Sequence, residues 1–389
     1  MAIKTVKPIT KTKYKEVKPK TYIDMPLLMI VIMLVGLGLI MVLSASSPTA
    51  LATKNDSYFY FYNQLKAAFL GFVAMTILSF IPFQKWTKPI YWLIYLISIA
   101  VLFLVKIPGI GLSSGGAGRW VNIAGISFQP SELSKIGLIL AFAGYFSNER
   151  RNFNKVISSV ILPIIFLAIP VFILYKIENH LSAAMIVAIV ILIQIFMSGI
   201  DIKYILGAFL STTIIGGIAG YIFMQLKSDS FRIDRFDAWL HTEENATTTG
   251  YQTMQGLYAI GSGGLLGVGL GNSTQKYSYV PAAHNDFIFA ILAEELGFVG
   301  CLAVIVLFIL FAIRGYLISI RAKDKYSSLV AIGITSLILI QAILNIAVVT
   351  NSMPNTGISL PFLSYGGTSL LILIASVGIL LNISRTTKD

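Results

Sequence analysis

The residues best suited to chemistry lie in three stretches. The first is 250–300, GYQTMQGLYAIGSGGLLGVGLGNSTQKYSYVPAAHNDFIFAILAEELGFVG, where Asp286 stands at the expected start of an apolar helix. His284 and Lys276 precede it closely. A carboxylate partly withdrawn from water has a raised pKa and can take a proton from a hydroxyl. An acid at a helix start can also simply accept hydrogen bonds from free backbone N–H groups, and both readings stay open. Glu294 and Glu295 follow roughly 12 Å further along such a helix, at 1.5 Å per residue. That is too deep to share one reacting atom with Asp286, and interhelical hydrogen bonding is the simpler role for them.

The second stretch holds Arg119, Trp120, Gln129, Pro130, Ser131, Glu132 and Lys135. Pro130 and Ser131 mark a helix start, with Ser131 as its expected N-cap. Glu132 and Lys135, three apart, share one helix face. They read either as an internal salt bridge or, with Arg119, as a cationic groove for an anionic headgroup. The third stretch is 351–369, NSMPNTGISLPFLSYGGTS, where Pro and Gly break helix periodicity and Ser364 and Tyr365 offer hydroxyls. An irregular segment of this kind is tolerated at a membrane only when packed on protein or lining a cavity.

Other chemistries find no support. The three histidines, at 180, 241 and 284, have no metal-ligand spacing, and the single cysteine, Cys301, allows neither a disulfide framework nor a CxxC pair. GLSSG at 111–115 has the letters of a nucleophile elbow, with Ser113 at its centre, but not the strand–turn–helix setting. The glycines of 261–271 do not follow the dinucleotide fingerprint. Asn245 and Asn272 begin weak glycosylation triplets.

The elements that must hold these residues are membrane helices. Of the 389 residues 56% are hydrophobic and only 12% charged, which excludes a soluble enzyme and a disordered chain. Ten apolar stretches are long enough, or nearly so, to cross a bilayer: 25–48, 63–82, 89–107, 132–148, 156–174, 181–198, 203–224, 286–313, 327–350 and 367–383. The first is over twenty residues long and reads as an anchor, not a cleaved leader. The net charge of +12 is a topology signal. With the N-terminus inside, the seven lysines of the first twenty residues, Lys85, Lys88, Arg150, Arg151, Lys155, Lys203, Arg314, Arg321, Lys323, Lys325, Arg385 and Lys388 all fall on the inner face. The short outer loops 49–62 and 175–180 hold only Lys54 and Lys176. The basic tail then faces anionic lipid, and nothing resembles a nucleic-acid surface. The expected organisation is a basic cytoplasmic tail, 1–22, and an all-α domain, 23–385, of ten transmembrane helices. A large extracytoplasmic loop, 225–285, joins helices seven and eight, and a short cytoplasmic end, 386–389, closes the chain.

The blocks GGAGRW, QPSELSK, GYQTMQGLYAIGSGGLLGVGLGNSTQK, PAAHNDFIFAILAEELGFVG and TGISLPFLSYGGTS, in this order, resemble the SEDS proteins (shape, elongation, division and sporulation) of bacterial wall synthesis, from Asp24 to Arg385. GVGLGNSTQK and GILLNISR look closer to the division branch, FtsW, than to the elongation branch, RodA; the sporulation branch is also near. The resemblance implies a ten-helix membrane enzyme that polymerises glycan strands from lipid II at the outer face of the plasma membrane. It places the family's essential aspartate on Asp286, its arginine and tryptophan on Arg119 and Trp120, and its helix-four acid and lysine on Glu132 and Lys135. Many members carry Q/E-P-D-L-G-T where this chain has Glu178, Asn179, His180, Leu181, Ser182 and Ala183, which puts a carboxylate role at position 180 in doubt.

On this reading Asp286 is the general base. Arg119, Lys135, Lys276, His284, Gln252 and Ser364 are the candidates for substrate and diphosphate, and Trp120, Glu132, Glu294 and Glu295 support them. A divalent cation, Mg2+ or Mn2+, could share the charge on the diphosphate, although no protein cage for one is evident. The implied partners are lipid II, the nascent strand, a class B penicillin-binding protein and other divisome or elongasome proteins. A lipid II flippase and a non-catalytic scaffold remain as alternatives.

Overall fold

The computed structural model describes residues 23–114, 117–123, 125–148, 156–200, 203, 230–277 and 279–387. The helices in chain order are α1 (Met25–Lys54), α2 (Phe59–Phe80), α3 (Tyr91–Phe103), α4 (Pro130–Phe146), α5 (Leu162–Phe172), α6 (Leu181–Met197), α7 (Ser230–Leu240), α8 (Tyr251–Gly263), α9 (Ile288–Ile320), α10 (Lys325–Val349) and α11 (Gly367–Arg385). Short π-helical turns at Ile157–Ile161 and Ile173–Ile177 extend α5 at both ends.

Among the described residues six helices are long and apolar enough to cross a membrane: α1, α2, the Ile157–Ile177 run, α9, α10 and α11. Tyr91–Lys106 and α6 are apolar but shorter, and the 17-residue α4 carries Glu132 and Lys135 within it. These three fall on further expected spans, and span 203–224 lies outside the described residues except Lys203. The chain is an all-α polytopic membrane protein in which, among the described residues, six helices, not ten, meet the length and composition of a span unaided. The basic tail 1–22 also lies outside the described residues.

Residues 108–131 contain a small antiparallel sheet of β1 (Gly111–Ser114), β2 (Ala117–Ile123) and β3 (Ile126–Phe128), in the order β1-β2-β3. It brings Arg119 and Trp120 to the N-terminal end of α4.

Polar side chains lock the bundle where hydrocarbon supplies no partners. The buried Gln194 of α6 donates to Ile139 O of α4 and Leu329 O of α10, at 3.1 and 3.0 Å. Asn382 of α11 donates to Ser79 O and Ile81 O at the end of α2, at 3.0 and 2.8 Å. Between these two helices Gly71 faces Ile374 and Gly378 faces Met75, so small residues let the backbones approach. At another corner Asp24 accepts from Leu27 N to cap α1 and pairs with Arg314 of α9.

α9 is broken at Gly297, whose φ of 65° and ψ of −166° are open only to glycine. The break frees backbone groups that must find partners. The loop after α8 supplies them: Val268 N and Gly269 N donate to Glu294 O and Glu295 O, while Phe298 N and Val299 N donate to Gly264 O and Leu265 O. The glycines of 261–271 therefore allow a backbone-to-backbone seam, with Gly267 packed on Glu295 O.

Candidate active site

The segment 351–358, between α10 and α11, is the keel of the site. Trp239 Nε1 and Arg235 Nη1 of α7 donate to Asn351 O and Asn355 O, at 2.9 and 3.1 Å. Ser182 Oγ of α6 donates to Thr356 O at 2.7 Å. Asn355 Nδ2 donates to Gln252 Oε1 of α8 at 3.0 Å, and Gln252 Nε2 donates on to Pro281 O at 3.0 Å. Three remote helices, α6, α7 and α8, thus converge on eight residues.

Asp286 lies against this keel. The position of a side chain on Gly357, itself at φ +66°, would be 3.7 Å from Asp286 Oδ2. Asn345 of α10, fully buried, donates from Nδ2 to both Asp286 O and Ile358 O at 2.7 Å, which fixes the backbone at the acid. The helix starts at Ile288 with Phe287 at the N-cap, and among the described residues no side chain caps its first turn. Asp286 therefore does not serve as the helix cap. Burial pushes its carboxyl up to about 6, against the opposing effects of a hydrogen bond from its own backbone N–H and, less, of Arg235. A base with that value is mostly ionised at neutral pH yet binds a proton readily.

His284 is buried beside Tyr60 and Tyr365, with ring centroids at 4.6 and 5.7 Å. Burial pushes it down to about 4, so it is neutral near pH 7. The Ser364 hydroxyl accepts from Leu360 N at 2.7 Å inside its own turn, and the side chain is buried.

The second cluster forms where β2, α4 and the turn before α6 meet. Arg119 donates from Nη2 to Asn179 O at 2.7 Å. Lys135 and Glu132 make a buried pair at 2.7 Å. His180 Nδ1 is 3.2 Å from Gln129 Nε2 and 3.5 Å from Ser131 Oγ. The N-cap of α4 is Gln129, because Pro130 takes the first helical position, so Ser131 lies inside the helix and not at its cap. Trp120 stands on β2 opposite Leu112. Glu178 is fully buried, and burial pushes it up to about 8 despite Arg119 nearby. His180 is pushed down to about 3 by burial, with Arg119 and Lys135 adding to it. At neutral pH both are therefore neutral, and the cluster's remaining charges leave it net positive.

Lys276, Glu294 and Glu295 form a third, closed unit. Lys276 Nζ donates to Gly271 O, to Ser44 Oγ at 3.2 Å and to Glu295 Oε1 at 3.1 Å, which uses all three of its N–H bonds. Glu294 accepts from Ser273 Oγ, Thr274 N and Thr274 Oγ1. Among the described residues no three His, Cys, Asp or Glu side chains gather as a metal cage.

The cell cycle protein family of FtsW, RodA and SpoVE matches residues 25–389. The chain belongs to this family. It is 38% identical over 334 residues to stage V sporulation protein E of Bacillus subtilis (strain 168), covering 85% of this chain and 88% of that one. It is 37% identical over 335 residues to a probable peptidoglycan glycosyltransferase FtsW of Geobacter sp. (strain M18), covering 85% and 88%. Its fold matches a solved peptidoglycan synthase complex that coordinates polymerization and crosslinking, with a TM-score of 0.78 at 24% identity over 93% of this chain and 98% of that one. It also matches the rod shape determining protein RodA of Thermus thermophilus, with a TM-score of 0.67 at 25% identity over 94% and 98%.

In this FtsW/RodA/SpoVE-family chain the structure brings Asp286, His284 and Gln252 to one place and Arg119, Trp120, Glu132 and Lys135 to another. Ser182 and Thr356 join the two. Lys276, Glu294 and Glu295 stand apart, sealed against α1. Arg235, Asn345, Asn355 and Glu178 were missed as site residues. Asn345 carried a usable signal, a polar side chain inside the apolar run 327–350.

Proposed function

We propose that the chain is a peptidoglycan glycosyltransferase that polymerises lipid II, with Asp286 as its general base. The observation that carries the reading is Asp286 itself: a half-buried, uncapping carboxylate with its pKa pushed up to about 6. Asp286 takes the proton of an acceptor sugar 4-hydroxyl. The hydroxyl oxygen bonds to the donor's anomeric carbon as the bond from that carbon to the lipid diphosphate breaks, and the electron pair leaves with the diphosphate. One displacement inverts the anomeric centre. Because diphosphate is a good leaving group once its charge is offset, one base suffices, unlike the carboxylate pair of glycosidases. Arg119 and Lys135 offset that charge, and the neutral Glu178 and His180 do not oppose them. Gln252 and His284 shape the acceptor side. Lys276 and Ser364, with their hydrogen bonds satisfied internally, act as braces.

The topology that goes with this function has ten helices, both termini cytoplasmic and the reaction at the outer face. The basic residues support it, and so does the docking of α7 and α8, from the expected external loop, over Asp286. A cysteine at position 244 should react with an impermeant reagent in intact cells, and cysteines at 13 and 388 should not. Likeness to the synthase complex supports a crosslinking class B penicillin-binding protein as partner. The deciding experiment supplies the purified full chain with lipid II. Glycan polymer is the expected product. Translocated but unpolymerised lipid II, or no turnover with the partner enzyme present, would replace the reading with a flippase or a scaffold.

A further inference from the structure

α7 is tied to the keel at two points four residues apart, Arg235 on Asn355 O and Trp239 on Asn351 O. Two residues beyond Asn355, Gly357 faces Asp286 Oδ2. Arg235 and Asp286 therefore flank the same three residues, 355–357. Each lies in the other's field: Asp286 raises the pKa of Arg235, and Arg235 lowers that of Asp286.

Among the described residues the other groups near the acid carry no charge at neutral pH, and the carboxylate also accepts a hydrogen bond from its own backbone N–H. His284, on its own segment, is held neutral by burial. Asn345, from α10, binds the backbone carbonyl and not the carboxylate. Among the described residues Arg235 is the one charged group that acts on Asp286. Lys276, the nearest lysine before it in sequence, is spent on Glu295.

We propose that Arg235 is a positioning residue: from the external helix α7 it holds Asp286 in the ionised, proton-accepting form. The proposal rests on the reading of Asp286 as base. Burial at the mouth favours the protonated acid, which cannot accept a proton, and a cation across a narrow strip of backbone opposes that tendency. Docking of α7 on 351–358 then does more than cover the site. It delivers the charge that keeps the base in its working form, so activity follows whether α7 is docked.

The test is the pH profile of lipid II polymerisation by the full chain in lipid nanodiscs, for wild type, R235K, R235Q and D286N. Between about pH 5 and pH 9 the wild type loses activity on the acid side as the base is protonated. R235Q moves that midpoint up by about one pH unit, so its rate at about pH 6 relative to pH 9 falls to about a fifth of the wild-type ratio. R235K keeps a cation and restores the midpoint, though not the full rate. R235M, which keeps the apolar stem, replaces R235Q if that variant does not fold. A role confined to fastening α7 lowers the rate by one factor at every pH. An unmoved midpoint in R235Q overturns the proposal, as does an R235K midpoint displaced as far as that of R235Q. D286N separates the two levels. If it polymerises like wild type at high pH, the base reading itself is wrong. If it is inactive while R235Q keeps the wild-type midpoint, the base reading stands and Arg235 alone is dismissed.

Discussion

Two parts of one helix end hold the same functional group under opposite conditions. Glu294 and Glu295 lie in the first turns of α9 and are buried, with hydrogen bonds from Ser44, Ser273, Thr274 and Lys276. Asp286, eight residues before Glu294, is half-buried, gives its side chain to no cap, and is steadied mainly through its backbone carbonyl by Asn345. The first pair is arranged to stay put, closing the 264–276 loop over the break at Gly297. The second is arranged so that its carboxylate remains available. A carboxylate held by several close side-chain and backbone donors is a poor proton acceptor, while a desolvated one that keeps only its own backbone N–H is a better one. The environment, not the residue type, separates brace from base.

The comparison breaks first at its strongest joint. K276M or E295L alone leaves a buried charge unpaired and should cost about 3–5 kcal/mol of stability, while K276M/E295L together should cost much less. Denaturant melts of the three purified variants check this. A double variant as unstable as the sum of the singles would mean that the pair does not act as a unit.

The other buried ion pair sharpens the contrast, since Lys135–Glu132 lies in the cluster assigned to diphosphate. R119A or K135A should slow polymerisation by about 10²–10³ if each stabilises the departing anion, with folding retained and charge reversal worse. Full activity in E132Q/K135Q would instead make that pair a brace like Lys276–Glu295.

Stability against pH gives a smaller, signed effect. The folded pKa of Asp286 is raised, to about 6 from 3.8. Its contribution to stability is therefore fully present below about pH 4 and lost as pH rises through about 6. D286N escapes that loss and should melt higher than wild type at about pH 8, by the equivalent of about 1–3 kcal/mol, with the gain vanishing near pH 4. A D286N protein less stable than wild type at pH 8 would point to a structural role for the acid. At the lower end, T274V removes one hydrogen bond to Glu294 and should cost about 1 kcal/mol with turnover unchanged, read from melts and product yield.

Much of this arrangement was legible in the sequence, for definable reasons. Apolar runs mark membrane helices because hydrocarbon tolerates little else, and α1, α9, α10 and α11 fall close to their expected places. Asp286 stood out because a lone acid at the mouth of such a run is costly. Lys276 stands close to His284 and Asp286 in sequence, but closeness in sequence does not say which way a side chain turns, and it turns to Ser44, 232 residues away. From sequence Ser131 reads as the cap of α4, whereas Pro130 as first helical residue places the cap at Gln129. Arg235 could not be found by spacing. It reaches the site only because α7 docks on residues 120 positions later in the chain, and its own neighbourhood looks like any polar external loop.

The central claim is that Asp286 accepts the acceptor proton, and glycan product from purified, folded D286N given lipid II tests it most directly. The variant keeps the size of the side chain and the backbone contact to Asn345 but loses the proton acceptor. The account predicts normal insertion, retained lipid II binding and a turnover lower by about 10²–10⁴. Near-wild-type polymerisation by D286N would contradict it and return Asp286 to the status of a structural residue.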